Sequence, residues 1–339
     1  LFLARDRYGI KPLYYTFLGN YFLFSSEQKG IITHPTLNRE LDLEALLEYF
    51  TFQNIFTDKT FFKGIKLFPA GCWAKLPLGA IQPEGTSLRV TRYWDFDFRE
   101  PEKPATEPEY IEELDRLFQQ AVNRQLVSDV ELGAYLSGGM DSGSITALAA
   151  KQLPSIKTVT CGFDLHSASG LEMSFDEREN AEYMSYLFKT EHYEMVLKAG
   201  DMERVLPQVS YHIEEPRVGQ SYPNYYVAQL ASKFVKVVLA GTGGDEIFGG
   251  YPWRYYRAAV NDDFEQYIDK YYLYWQRLIP NNIIHNIFTP VWSDVKQVWT
   301  RDIFRDVFLT KMPHLTKPED HVNHSLYFEA KTFLHGLLM

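Results

Sequence analysis

The chain opens on short apolar stretches that alternate with polar positions and are punctuated by glycine and proline. Residues 2–4 read as a strand, and 14–18 with 21–24 read as a hairpin turning at Gly19-Asn20. Residues 42–50 have helical spacing with Asp42 at the N-cap, and further strands are expected at 72–75 and 88–94. Residues 95–106 carry Pro101 and Pro104 among charges and read as a linker. Beyond it the period changes. Tyr110, Leu114, Leu117, Phe118, Ala121 and Val122 recur at helical spacing, and apolar runs at 132–136, 158–163, 192–197 and 235–240 alternate with helical stretches at 144–152, 176–189, 202–212 and 224–233. This βαβ order predicts a parallel sheet with helices on both faces, a fold that binds ligands beyond the carboxyl ends of its strands.

Composition narrows the picture. A chain of 339 residues, 45% hydrophobic and 23% charged, fits two globular domains with sizeable cores. Its formal charge of −10 argues against a nucleic-acid surface, which needs a basic excess, and no apolar run reaches membrane-spanning length. The two cysteines, Cys72 and Cys161, are far apart and form neither a disulfide framework nor a CxxC metal site. That suits a reducing compartment, so a cytoplasmic location is expected. The 23 tyrosines and 24 phenylalanines are read as core and interface material rather than a stacking platform.

The chemistry concentrates in two glycine loops, each at the end of an expected parallel strand. The first is Leu136-Ser137-Gly138-Gly139-Met140-Asp141-Ser142. Its glycines let backbone approach an oxyanion, and its serine hydroxyls can donate to further oxygens. It lacks the lysine of a Walker loop and carries Asp141 instead. A carboxylate beside phosphates requires a cation between them, so Asp141 implies Mg²⁺. The second loop, residues 240–251, offers Asp245 as a second carboxylate for that ion, with helix N-terminal capping as the competing reading.

The string S-G-G-x-D-S resembles the pyrophosphate loop of the ATP pyrophosphatase superfamily, whose members adenylate a carboxylate or carbonyl. A narrower resemblance spans nearly the whole chain. R-D-R-Y-G-I-K-P-L-Y-Y from Arg5, F-S-S-E from Phe24, F-P-A-G from Phe68, S-G-G-M-D-S from Ser137, E-E-P from Glu214 and G-G-D-E-I-F-G-G-Y from Gly243 stand in the order found in glutamine-hydrolysing asparagine synthetase. The resemblance implies the C-terminal part of an N-terminal-nucleophile glutaminase β-sandwich in residues 1–94. A linker (95–106) and a parallel-sheet ATP-dependent synthetase domain (107–339) would follow. It implies glutamine, aspartate and ATP as substrates, Mg²⁺ as the metal, an aspartyl-AMP intermediate and an internal ammonia tunnel, and it is compatible with a homodimer.

By resemblance, Leu136 belongs to the ATP site, Ser137, Gly138, Gly139, Asp141 and Ser142 hold pyrophosphate, Asp141 with Asp245 binds Mg²⁺, and Tyr135, Cys161, Ala240 and Gly241 line the adenosine. Two departures are expected to matter. The family's nucleophilic cysteine and glutamine-binding residues precede Leu1, and acidic and lysine residues of the synthetase follow Met339, so the chain is read as a fragment that does not hydrolyse glutamine, with neither Cys72 nor Cys161 as nucleophile. Thr242 stands where the family usually places an acidic residue, and residues 217–221 lack the acidic group found after E-x-P in bacterial members. Besides asparagine formation, an amidotransferase or amide-forming cyclase for another carboxylate, and a nucleotide-binding homologue without turnover, remain open on these residues.

Overall fold

The computed structural model describes residues 1–77, 79, 87–98, 100–167, 170, 175–216, 221–259, 263–309 and 320–338, so most of the 217–221 stretch lies outside the described residues. The chain forms two compact units. A split unit combines Leu1–Arg99 with Asp245–Met339, and a middle unit comprises Glu100–Gly244.

In the split unit, β1 (Phe2–Ala4), β5 (Cys72–Lys75) and β6 (Val90–Arg92) form one antiparallel sheet, and β3 (Tyr21–Ser25), β2 (Tyr14–Leu18) and β4 (Lys66–Leu67) form another. The hairpin expected at Gly19-Asn20 is present, with Leu18 opposite Tyr21 and Gly19 at φ 56°, a value that glycine adopts without Cβ strain. The opening strand, which the sequence leaves without an upstream partner, pairs instead with β5, Leu3 lying opposite Ala74. Leu3, Cys72 and Ala74 from one sheet meet Tyr15 from the other around Phe68, which is the sandwich packing expected for this segment.

Aromatic residues dominate the second core of this unit. The helix Leu43–Phe52, capped by Asp42 through the backbone N–H groups of Glu44 and Ala45, carries Phe52 into a cluster with residues from later in the chain. These are Tyr267, Tyr271 and Trp275 of the helix Phe264–Trp275, Phe304 and Phe308 of Thr300–Leu309, and Phe328 of Asp320–Glu329. Their hydroxyls are satisfied inside the core: Tyr267 meets Ser325 at 2.9 Å and Tyr272 meets Thr300 at 2.7 Å. Hydrogen bonds to main-chain carbonyls add to the join, since Arg277 N–H donates to Thr51 O at 2.8 Å and Asn54 Nδ2 to Thr332 O at 2.9 Å. Asp95, the first residue of the expected linker, is a buried anchor. Its carboxylate accepts from Arg92, from Lys331 at 3.0 Å and from Tyr327 at 3.1 Å.

In the middle unit, β7 (Leu132–Tyr135), β8 (Lys157–Phe163), β9 (Glu191–Leu197) and β10 (Val237–Leu239) form a fully parallel sheet in the order β10-β7-β8-β9. Helices of the middle unit connect the strands and bury two separate apolar clusters. One joins Ala134 and Ile156 to Ala149 of the helix after β7, and the other joins Val159 to Val227 and Ala231 of the helix Ser221–Ala231. The strand expected at 235–240 is shorter because Val235 N–H still bonds back to Ala231 O, as the tail of the preceding helix.

A candidate nucleotide site at the ends of two parallel strands

Strands β7 and β10 are neighbours, with Val237 opposite Leu132 and Leu239 opposite Ala134. Both glycine loops therefore leave the same edge of the sheet, side by side, where ligands of parallel α/β sheets bind.

The first loop is closed by its own hydroxyls. Ser137 N–H donates to Ser142 Oγ at 3.1 Å, the two serine oxygens stand 3.0 Å apart, and Gly139 N–H donates to Ser137 Oγ at 3.3 Å. Ser142 Oγ also reaches Gly139 O at 3.2 Å, and its side chain is buried. The serines thus shape the loop, where the sequence suggested that they act on ligand oxygens. The following helix (Met140–Gln152) starts four residues earlier than its apolar spacing indicates, which sets Asp141 and Ser142 in its first turn. Gly139 supplies no side-chain cap, so the N–H groups of that turn present their positive end to the loop's open side. This arrangement fits a polyphosphate.

Close packing explains the glycines. Gly138 has φ 79° and presses on the helix Arg178–Phe188: a Cβ there would lie 2.5 Å from Asn180 Cβ and 3.1 Å from Ala181 N. A Cβ on Gly241 would lie 2.5 Å from Ser142 N and 2.9 Å from Ser142 Cα, and one on Gly244 would collide with the Asp141 carboxylate. The two loops are therefore in backbone contact, with Asp141 laid against Gly244. Among the described residues no group of three or more His, Cys, Asp and Glu side chains forms a preformed metal site. Asp141 belongs to the middle unit and Asp245 begins the split unit.

The remaining expected site residues fall nearby in the middle unit. Tyr135 and Cys161 pack half-buried against the Val159 cluster, while Leu136 is buried and offers only backbone, its N–H bonded to Val159 O at 3.0 Å. Burial, with smaller contributions from Asp176 and Glu177, pushes the Cys161 thiol up to about 11, so it is not a thiolate at neutral pH. Ala240 and Thr242 are exposed.

Sequence reasoning missed what fixes the Gly138 side of the site. Asp176 accepts from Phe163 N–H at 3.0 Å, Arg178 donates to Phe163 O at 2.9 Å, and the two side chains pair with each other at 2.7 Å. This pins the start of the helix Arg178–Phe188 to the end of β8, over Gly162, where a Cβ would meet both side chains. Glu177, between them, interacts with Ser137, and burial raises its carboxyl above the usual range. The signal was the acidic-basic run Asp176-Glu177-Arg178 at a helix start, which also reads as ordinary capping.

The model of the asparagine synthase family matches residues 113–339, two-thirds of the chain, and that of the glutamine amidotransferase domain matches residues 1–94. This chain belongs to the asparagine synthase family. It is 34% identical over 255 residues to a putative asparagine synthetase [glutamine-hydrolyzing] 2 of Methanocaldococcus jannaschii, covering 74% of this chain and 47% of that protein. It is 32% identical over 252 residues to asparagine synthetase [glutamine-hydrolyzing] 1 of Bacillus subtilis, covering 74% and 37%, and 33% identical over 283 residues to synthetase 3 of the same organism, covering 78% and 43%. The chain thus spans less than half the length of these relatives.

Proposed function

We propose that this family member adenylates a carboxylate with ATP and delivers ammonia to it, aspartate becoming asparagine through aspartyl-AMP. The observation that carries the reading is the backbone-to-backbone join of the two glycine loops beside an uncapped helix start, with Asp141 against Gly244. A carboxylate is a poor acyl electrophile until its oxygen leaves as part of AMP, and ATP supplies that leaving group. The N–H groups opening the helix Met140–Gln152 bind the departing pyrophosphate, and Ser137 and Ser142 hold the loop in shape. Tyr135, Cys161, Ala240 and Gly241 line the adenosine. Asp141 and Asp245 would hold Mg²⁺, which offsets phosphate charge.

Residues 1–94 are the glutaminase-derived part and 107–339 the synthetase part, joined by 95–106. The two family matches support this division, although packing draws 245–339 to the first segment. Among the described residues no helix is long and apolar enough to cross a membrane, and both cysteines are free. These features support action in the cytoplasm.

The test is aspartate-dependent ATP/pyrophosphate exchange by the longest natural form of the protein. Exchange with aspartate, lost at least about 100-fold in Asp141→Asn, is expected. Exposed Thr242, a neutral hydroxyl where an acid is usual in the family, supports the second reading, an amide-forming enzyme for another carboxylate. Exchange with some other carboxylate but none with aspartate would establish that reading instead.

A further inference from the structure

Within the split unit lies a cleft of 190 Å³, lined by residues of the sandwich segment, by the loop after the helix Leu43–Phe52 and by Ala330, Lys331 and Thr332. None of its lining residues belongs to either glycine loop. Three buried polar groups build its walls. Arg5 donates to the carbonyls of Gly9 at 2.8 Å, Lys11 at 2.9 Å and Phe68 at 2.7 Å, so the turn after β1 and the stretch after β4 keep a fixed spacing. Glu48, fully buried, accepts from Phe56 N–H at 3.0 Å, Thr57 N–H at 3.2 Å and Thr57 Oγ1 at 2.7 Å, which sets the loop. Asp95 ties Arg92 to Lys331, at 2.5 Å and 3.0 Å. Protein interiors close over empty space unless the walls are held, and here each wall is held by bonds of its own.

The cleft is cationic in a chain of formal charge −10: four cations, Arg5, Arg7, Arg92 and Lys331, line it with one carboxylate, Asp58. Asp58 is answered by Lys66 at 2.9 Å, and the single charge of Asp95 serves both Arg92 and Lys331. Exposed Arg7 has no hydrogen bond or ion pair to the described residues. Positive charge is therefore in surplus. Tyr8, Phe56 and Phe96 add aromatic surface to the same cleft.

Size and chemistry limit the occupant. A volume of 190 Å³ is below the roughly 300 Å³ at which pockets for drug-sized ligands begin, so a nucleotide is too large. An inorganic anion would leave the aromatic surface unused, and a neutral hydrocarbon would leave the charge unanswered. We infer that the cleft binds a small organic carboxylate, its apolar body against the aromatic side chains and its anionic end on Arg7, with Lys331 adding charge. The guanidinium fork suits a carboxylate, which it grips with two parallel hydrogen bonds.

The probe is benzoate, titrated by calorimetry into the longest natural form of the protein, beside benzyl alcohol, which has the body without the charge, and inorganic phosphate, which has charge without the body. Benzoate is expected to bind with a Kd of about 1 mM or tighter, and the other two at least about tenfold more weakly. Arg7→Gln is expected to raise the benzoate Kd about tenfold and to leave the ligand-free thermal midpoint within about 1 °C, since it breaks no described contact. Arg7→Lys, which keeps the charge and loses the fork, should fall between. Ala70→Leu, on the cleft wall, should abolish binding by filling it. No benzoate binding at about 10 mM would overturn the inference. Phosphate bound as tightly as benzoate would reduce the cleft to an adventitious ion site, and benzyl alcohol bound as tightly would reduce it to an apolar hole; either result overturns the carboxylate. Benzoate binding unchanged in both Arg7→Gln and Ala70→Leu would place the ligand elsewhere and overturn it too.

Discussion

The two glycine loops leave neighbouring parallel strands yet are held in opposite ways. The Ser137–Ser142 loop closes on itself, its serine hydroxyls answering its own N–H and C=O groups. The Gly241–Gly244 stretch is shaped from outside, by Ser142 backbone and the Asp141 carboxylate pressed against its glycines. A locally closed loop tolerates loss of one hydroxyl, because its remaining bonds still define it. A loop defined by contact with another backbone has no such reserve, since backbone cannot move aside as a side-chain tip can.

The largest effect is therefore expected at Gly241. In Gly241→Ala the new methyl must displace Ser142 N and Cα, an overpacking with no soft neighbour, costing about 3 kcal/mol and at least about 100-fold in ATP/pyrophosphate exchange. Urea unfolding and the exchange assay check this. Ser142→Ala is expected to do less, about 1–2 kcal/mol and roughly tenfold in exchange, because it strands Ser137 N–H but leaves both backbones in place. Equal losses in the two variants would erase the distinction between the loops.

The last effect, read in stability against pH and not in exchange, lies in the split unit, outside both glycine loops. Burial raises the Glu329 carboxyl to about 7, against the opposing pull of Arg254 and Tyr271. A folded-state pKa above the unfolded one means that the folded form binds the proton more tightly between the two values. Stability from this group is thus expected to be greatest below about pH 4.5 and to fall as pH rises toward 7. The contribution is at most about 3 kcal/mol by linkage, and Glu329→Gln should flatten that part of the profile. Thermal midpoints between pH 5 and 8 for both proteins give the comparison, and an unchanged slope in the variant would assign the pH dependence to other carboxylates.

Sequence by itself determined the elements whose signals are local. The hairpin at Gly19-Asn20, the Asp42 cap, the four strands of the parallel sheet and the placement of both glycine loops at strand ends all follow from side-chain period, capping chemistry and βαβ order, which act over a few residues. Local spacing missed the true helix start at Met140, because the first turn of that helix, Met140-Asp141-Ser142-Gly143, is mostly polar or glycine and carries no apolar stripe to reveal it. Tertiary structure alone decided the rest. Phe52 and the buried Asp95 draw the last third of the chain onto the first, since large aromatic surfaces and unpaired carboxylates find their partners wherever the fold brings them. The contact of Gly241 with Ser142 is decided there as well. The two residues are 99 apart in sequence, and no local pattern records that two backbones will need the space of one methyl group.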